Sequence, residues 1–174
     1  MQTRLNVLAG SFAVVSISLG AGLLATAAPT VAQPLVQKNI SLQQAITVVK
    51  AAIAECGKDG SVISITVLDR DGEIRFAVRA NGANPHNFEL SRRKAYTAKT
   101  FRGPSANFAG KSAPDKDLFG QRELKEVIPL GGGMPIMIGQ DAIGAVGISG
   151  AKGGQPAEEA CAKTGIAAIQ SQLS

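Results

Sequence analysis

From Leu42 onward apolar residues recur at helical spacing, with Leu42, Ala45, Ile46, Val49 and Ile53 on one face. Ser41 precedes them as an N-cap, Gln44 completes a capping box three residues later, and Gly57 supplies a C-terminal stop. The pattern then changes period. Val62 to Leu68 is short and β-branched, which predicts a strand, and Asp71-Gly72 is a strong two-residue hairpin signal. Ile74, Phe76 and Val78 alternate after it as a second strand. Residues 81–85 (Asn-Gly-Ala-Asn-Pro) read as a loop. A second helix runs from His86 or Asn87 to about Arg102, without Gly or Pro, and Gly103-Pro104 ends it.

Residues 103–129 carry three prolines and scattered apolar positions, which predicts loops and short helical turns. Gly131-Gly132-Gly133 is a turn. Met134 to Ile138 and Ala142 to Ile148 form a second hairpin around Gly139-Gln140-Asp141. After a loop at 150–154, Pro156 suits the first turn of a closing helix over 157–173. Two hairpins and three main helices predict an α+β domain, an antiparallel sheet with helices packed mainly on one face. The strands alternate only partly, so the other face is left for a second subunit, which predicts a homo-oligomer.

The first segment reads as an export signal. Arg4 is followed by an uncharged stretch from Leu5 to Ala28, and small-x-small cleavage frames lie at residues 25–27 and at 30–32 before Gln33-Pro34. The second frame is preferred, giving a signal peptide over 1–32 cut after Ala32, a short linker over 33–40 and a domain over 41–174. An uncleaved membrane anchor is the rival, weakened by Gly10, Gly20, Gly22 and Pro29. No Cys follows the apolar run, which argues against a lipoprotein. The expected location is the periplasm or the extracellular space.

Composition narrows the chemistry. With one His and two Cys in 174 residues, a self-contained Cys/His zinc site is excluded. Eighteen basic against 13 acidic residues, with 4% aromatics, is a mild excess without the dense basic face of a nucleic-acid protein. In an oxidising compartment Cys56 and Cys161 are a disulfide candidate; two buried free thiols are the alternative. Gly131-Gly132-Gly133 lacks the Lys-Ser/Thr of a P-loop, and Gly144 and Gly147 lie inside a strand, so these glycines point to tight turns and close backbone approach. The chain shows no nucleophile–base pair or carboxylate dyad, which argues against an enzyme working with its own side chains.

Four separated motifs resemble the GlcG/HbpS-like haem-binding family, related to the C-terminal domain of PduO-type proteins. They are Ala80-Asn81-Gly82-Ala83; residues 91–101 with Gly103-Pro104-Ser105; residues 128–136 (Ile-Pro-Leu-Gly-Gly-Gly-Met-Pro-Ile); and residues 143–150 (Ile-Gly-Ala-Val-Gly-Ile-Ser-Gly). The resemblance spans nearly the whole chain after Ser41. It implies a profilin-like fold with a five-stranded antiparallel sheet flanked by helices, assembly into dimers or larger rings, and binding of haem or a related tetrapyrrole.

The resemblance makes an exported haem-binding protein the leading expectation, in haem or iron handling or sensing, with a sensor or receptor as a further partner. A haem-degrading or other small-molecule enzyme and a ligand-free partner-binding module are the alternatives. Haem needs apolar walls, cations for its propionates and an optional axial ligand. The candidates are His86, Lys94, Tyr96, Thr97, Phe101, Ser105 and Met134, with His86 as the iron ligand. Each has a plainer alternative: a solvated loop His, a packed Tyr, a core Met. The basic run Arg92, Arg93, Lys94, Lys99, Arg102 either clamps a carboxylate or pairs with acids such as Glu89, Glu123 and Glu126.

Overall fold

In the computed structural model, which describes residues 32–173, the capping box at Ser41 is closed: the Ser41 hydroxyl accepts from Gln44 N–H and the Gln44 side chain accepts from Ser41 N–H. It opens helix α1 (Leu42–Gly57). There follow β1 (Ser64–Leu68), β2 (Ile74–Arg79), α2 (Pro85–Phe101) and α3 (Ser105–Lys111). After a 3₁₀ turn at Phe119–Glu123 come β3 (Gly133–Ile138), β4 (Asp141–Ser149), α4 (Gly154–Ala167) and a last 3₁₀ turn at Gln170–Gln172. One compact unit begins at Val36, and residues 32–35 are exposed and without regular secondary structure. The signal peptide expected over 1–32 lies outside the described residues, apart from Ala32.

The sheet runs β2-β1-β4-β3, antiparallel throughout. Among the described residues it has four strands, where the family resemblance implied five. The two hairpins join through β1 and β4, both buried along almost their whole length. A bulge interrupts each hairpin, between Val67 and Leu68 opposite Phe76 and Ile74, and between Ile136 and Met137 opposite Gly144 and Ala142.

Helices cover both faces of this sheet, not mainly one. Ile65, Val67, Ile136, Val146 and Ile148 pack with α1 and α4 in the main core. On the opposite face Leu68 and Ala145 meet Ala95 and Ala98 of α2, and the Thr66 and Ser91 hydroxyls lie 2.8 Å apart. The weak alternation that suggested a second subunit is therefore explained within the chain, because α2 occupies the face left over.

Helix α1 also turns a different stripe inward from the one expected. Ala45, Val48, Val49, Ala52 and Cys56 are buried, whereas Leu42 and Ile53 are 51% and 36% exposed. Close packing on α4 selects this smaller face. A Cβ on Gly165 would lie 2.8 Å from Val48 O and 3.2 Å from Ala52 Cβ, so the two helices touch almost backbone to backbone. The Cys56–Cys161 disulfide staples the same pair, with the two Cα atoms 5.6 Å apart. Helix α4 stops at Ala167 rather than running to Leu173, and the tighter turn after it seats Ile169 in the core.

Glycine sets the approach of α2 as well. A Cβ at Gly147 would fall 2.0 Å from Ser91 O and 2.5 Å from Ala95 N, and one at Gly133 would fall 2.1 Å from Lys94 O. Since those neighbours are backbone, nothing flexible can give way. Gly147→Ala is expected to lower stability by about 1–3 kcal/mol, the usual cost of overpacking a tight interior. In a urea titration its midpoint should fall with an unchanged slope; a midpoint equal to that of the wild type would mean that α2 lifts away without cost.

Candidate functional site

Helix α2 positions most of the residues that sequence reasoning selected, and it spreads them rather than gathering them. Pro85 occupies its first turn and His86 follows, exposed to solvent. Phe101 closes the helix, fifteen residues further on, so a rise of about 1.5 Å per residue puts roughly 22 Å of helix between them. Met134 points to the α1/α4 face of the sheet, where it packs against the main core. It is thus separated by the sheet from Lys94 and Thr97.

Three of the polar candidates already have partners. Lys94 and Glu158 form a buried ion pair of 2.6 Å, with side chains 3% and 6% exposed, and the ammonium also donates to Ile148 O at 3.2 Å. The second carboxylate oxygen of Glu158 accepts from Gly150 N–H at 2.9 Å. The Thr97 hydroxyl donates to Arg93 O and accepts from Ile128 N–H, each at 2.8 Å. The Ser105 hydroxyl accepts from Gly133 N–H at 2.9 Å. All three residues are buried and tie α2 or α3 to the strands and to the chain at 127–133. Tyr96 is half-buried, and its ring comes so close to Gly72 of the hairpin turn that a Cβ there would lie 3.1 Å away.

The basic run is divided in the same way. Arg92 pairs with Glu89 at 3.0 Å and with Glu126, and Arg93 donates to Val127 O. The hydrogen bonds from Arg92 hold the Glu89 carboxyl below its ordinary range, and Glu89 raises Arg92 in return. Lys99 and Arg102 have no carboxylate within 4 Å among the described residues. Both charges reach Asp141, whose carboxyl is pulled down first by its hydrogen bonds from Arg70 and then by the charges of Arg70, Arg102 and Lys99.

The last aromatic candidate, half-buried Phe101, lies at the corner between α2 and α3 against Phe108, which is itself only 1% exposed. The rings of Phe101 and Phe108 stack there with centroids 4.4 Å apart and planes 20° apart. Together with Pro104 and Leu118 they wall a cavity of about 190 Å³, at which Arg102, Asn107 and Lys111 supply the polar groups. Lys111 and Leu118 also line a wider, open cavity of about 610 Å³ that continues to Asp115, Lys116 and Asp117. Arg102 (φ 51°) and Asp115 (φ 65°), the non-glycine residues with positive φ among the described residues, both sit on this corner. Phe108, Lys111 and Leu118 were not found from the sequence. They lie beyond the Gly103-Pro104 break, where no periodicity links them to Phe101; the Gly-Pro-Ser motif was the only pointer.

The family model described as "Haem degrading protein HbpS-like" matches residues 40–167. The chain belongs to the HbpS-like family. A double mutant of Streptomyces reticuli HbpS is 28% identical, with a TM-score of 0.73 over 82% of this chain and 97% of that one. A structure described as a PduOC:haem complex is 25% identical, with a TM-score of 0.69 over 75% of this chain and 94% of that one. An uncharacterized 15.0 kDa protein from the dhaT-dhaS intergenic region of Citrobacter freundii is 27% identical over 114 residues, 64% of this chain and 80% of its own length.

For this HbpS-like chain the fit to a tetrapyrrole is divided between two places. The α2–α3 corner offers a phenyl wall and two cations that can meet carboxylate arms, but its volume of about 190 Å³ is less than an ordinary small-molecule pocket, so a macrocycle would extend from it into the adjoining open cavity. The only imidazole of the chain stands at the far end of α2, so within one chain His86 and the corner lie too far apart to serve the same iron.

Proposed function

We propose that this protein is exported and binds haem at the α2–α3 corner. The observation that carries the reading is the stacked Phe101–Phe108 pair beside Arg102 and Lys111, in a chain of the HbpS-like family. A structural relative described as a haem complex supports it. The Cys56–Cys161 disulfide and the uncharged stretch from Leu5 to Ala28 support export into an oxidising compartment. Phe101 and Leu118 would hold the macrocycle, with buried Phe108 backing Phe101, and Arg102 and Lys111 would hold its propionates. Haem would supply its own iron chemistry there, and the protein would control access and orientation.

A haem titration followed by absorbance tests this. The expected result is a saturable Soret shift that His86→Ala retains. A shift abolished by His86→Ala would move the ligand to the start of α2, and the absence of any saturable shift would overturn haem binding. Bleaching of the bound pigment under reductant and oxygen would add turnover to binding.

A further inference from the structure

We propose that Arg102 and Lys111 make this corner selective for planar ligands bearing free carboxylates, over the same ligands with neutral arms. The inference rests on the tetrapyrrole reading and names what the site recognises in its ligand.

Arg102 occupies a position that a structural role would give to another residue. It is the C-cap of α2 in the left-handed conformation, its N–H donating to Ala98 O, where helices ordinarily place glycine. Gly103 follows directly in the chain yet does not take that conformation. The backbone therefore carries a side chain with a Cβ where the neighbouring glycine would be easier, and that side chain is a guanidinium bordering a cavity of mixed polar and apolar lining.

Charge at the corner points the same way. Among the described residues neither Arg102 nor Lys111 has a carboxylate within 4 Å. Asp141, which feels the charge of Arg102, is already gripped by two guanidinium nitrogens of Arg70. Asp115 and Asp117 line only the wider cavity, with Lys116 between them. The smaller cavity thus presents two cations, one amide and apolar walls. Arg102 can meet a carboxylate through two parallel N–H groups and Lys111 can meet it as a point charge. An esterified arm has no charge to return and leaves both cations unpaired.

The test compares protoporphyrin IX with its dimethyl ester, each titrated by fluorescence into the full chain, the variant Arg102→Gly, and the double variant Arg102→Gln/Lys111→Gln. The wild type should bind the diacid at least about tenfold more tightly, the factor one charge-assisted hydrogen bond supplies. The double variant should bind both at the affinity of the diester. Arg102→Gly should lose much of the preference and yet melt at a higher temperature without ligand, because glycine relieves the left-handed backbone. A wild type that binds diacid and diester equally, or a double variant that keeps the preference, overturns the inference and leaves the tetrapyrrole reading standing. Failure of the wild type to bind either porphyrin overturns both. An Arg102→Gly variant that melts lower would assign Arg102 to structure and remove it from the clamp.

Discussion

Glu158→Ala is expected to destabilise the protein by about 3–5 kcal/mol, the range for removing one partner of a buried ion pair. Glu158 lies on α4, on one side of the sheet, and Lys94 on α2, on the other. The two meet at the end of β4, where Lys94 also donates to Ile148 O and Glu158 also accepts from Gly150 N–H. Deleting the carboxylate leaves an ammonium buried with one carbonyl for company and orphans a backbone donor. Space around the pair is tight as well, since a Cβ at Gly132 would lie 2.5 Å from Glu158 Oε2. A urea titration of Glu158→Ala, Lys94→Met and the double variant Lys94→Met/Glu158→Leu would separate the effects. The double variant should be less damaged than Glu158→Ala, because no charge is left unpaired. A loss below about 1 kcal/mol for Glu158→Ala would show that water reaches Lys94, contrary to its burial.

Reduction of the Cys56–Cys161 disulfide is the second large effect. The bridge spans 105 residues of sequence, and a loop of that size is worth up to about 4.7 kcal/mol of chain entropy, within an observed range of roughly 2–5 kcal/mol for native bridges. It adds to an interface that is already tight, since Val48 and Ala52 lie against Gly165 of α4 almost backbone to backbone. The melting temperature should therefore drop markedly under reductant, and Cys56→Ser/Cys161→Ser should melt at the reduced temperature in either condition. Identical melting with and without reductant would mean that α1 and α4 hold together without the bridge.

The parts of the fold legible in advance are those specified by neighbours in sequence. Ser41 and Gln44 cap α1 three residues apart, Asp71-Gly72 turns the first hairpin, and Gly103 follows the last turn of α2. The stripe that α1 buries was misplaced because Leu42 and Ile53 are apolar and sit at helical spacing, yet α4 comes too close to receive them. Covering of the second sheet face was misassigned for a related reason. Strands buried on both faces show little alternation, and the pattern cannot say whether the cover is a helix of the same chain or another subunit.

The site divides along the same line. Lys94, Thr97 and Ser105 looked available as polar residues near the family motifs, but each is consumed by a contact 28 or more residues away in sequence. By itself the sequence determined the two hairpins, the three longer helices and their order, the candidate cysteine pair and the resemblance to a haem-binding family, because caps, turns and periodicity act over a few residues. Only the tertiary structure decided which side chains remain free to bind. Pairing of Lys94 with Glu158 depends on where distant segments come to rest, set by packing across the sheet, and stacking of Phe108 on Phe101 depends on the turn at Gly103-Pro104, across which no periodicity runs.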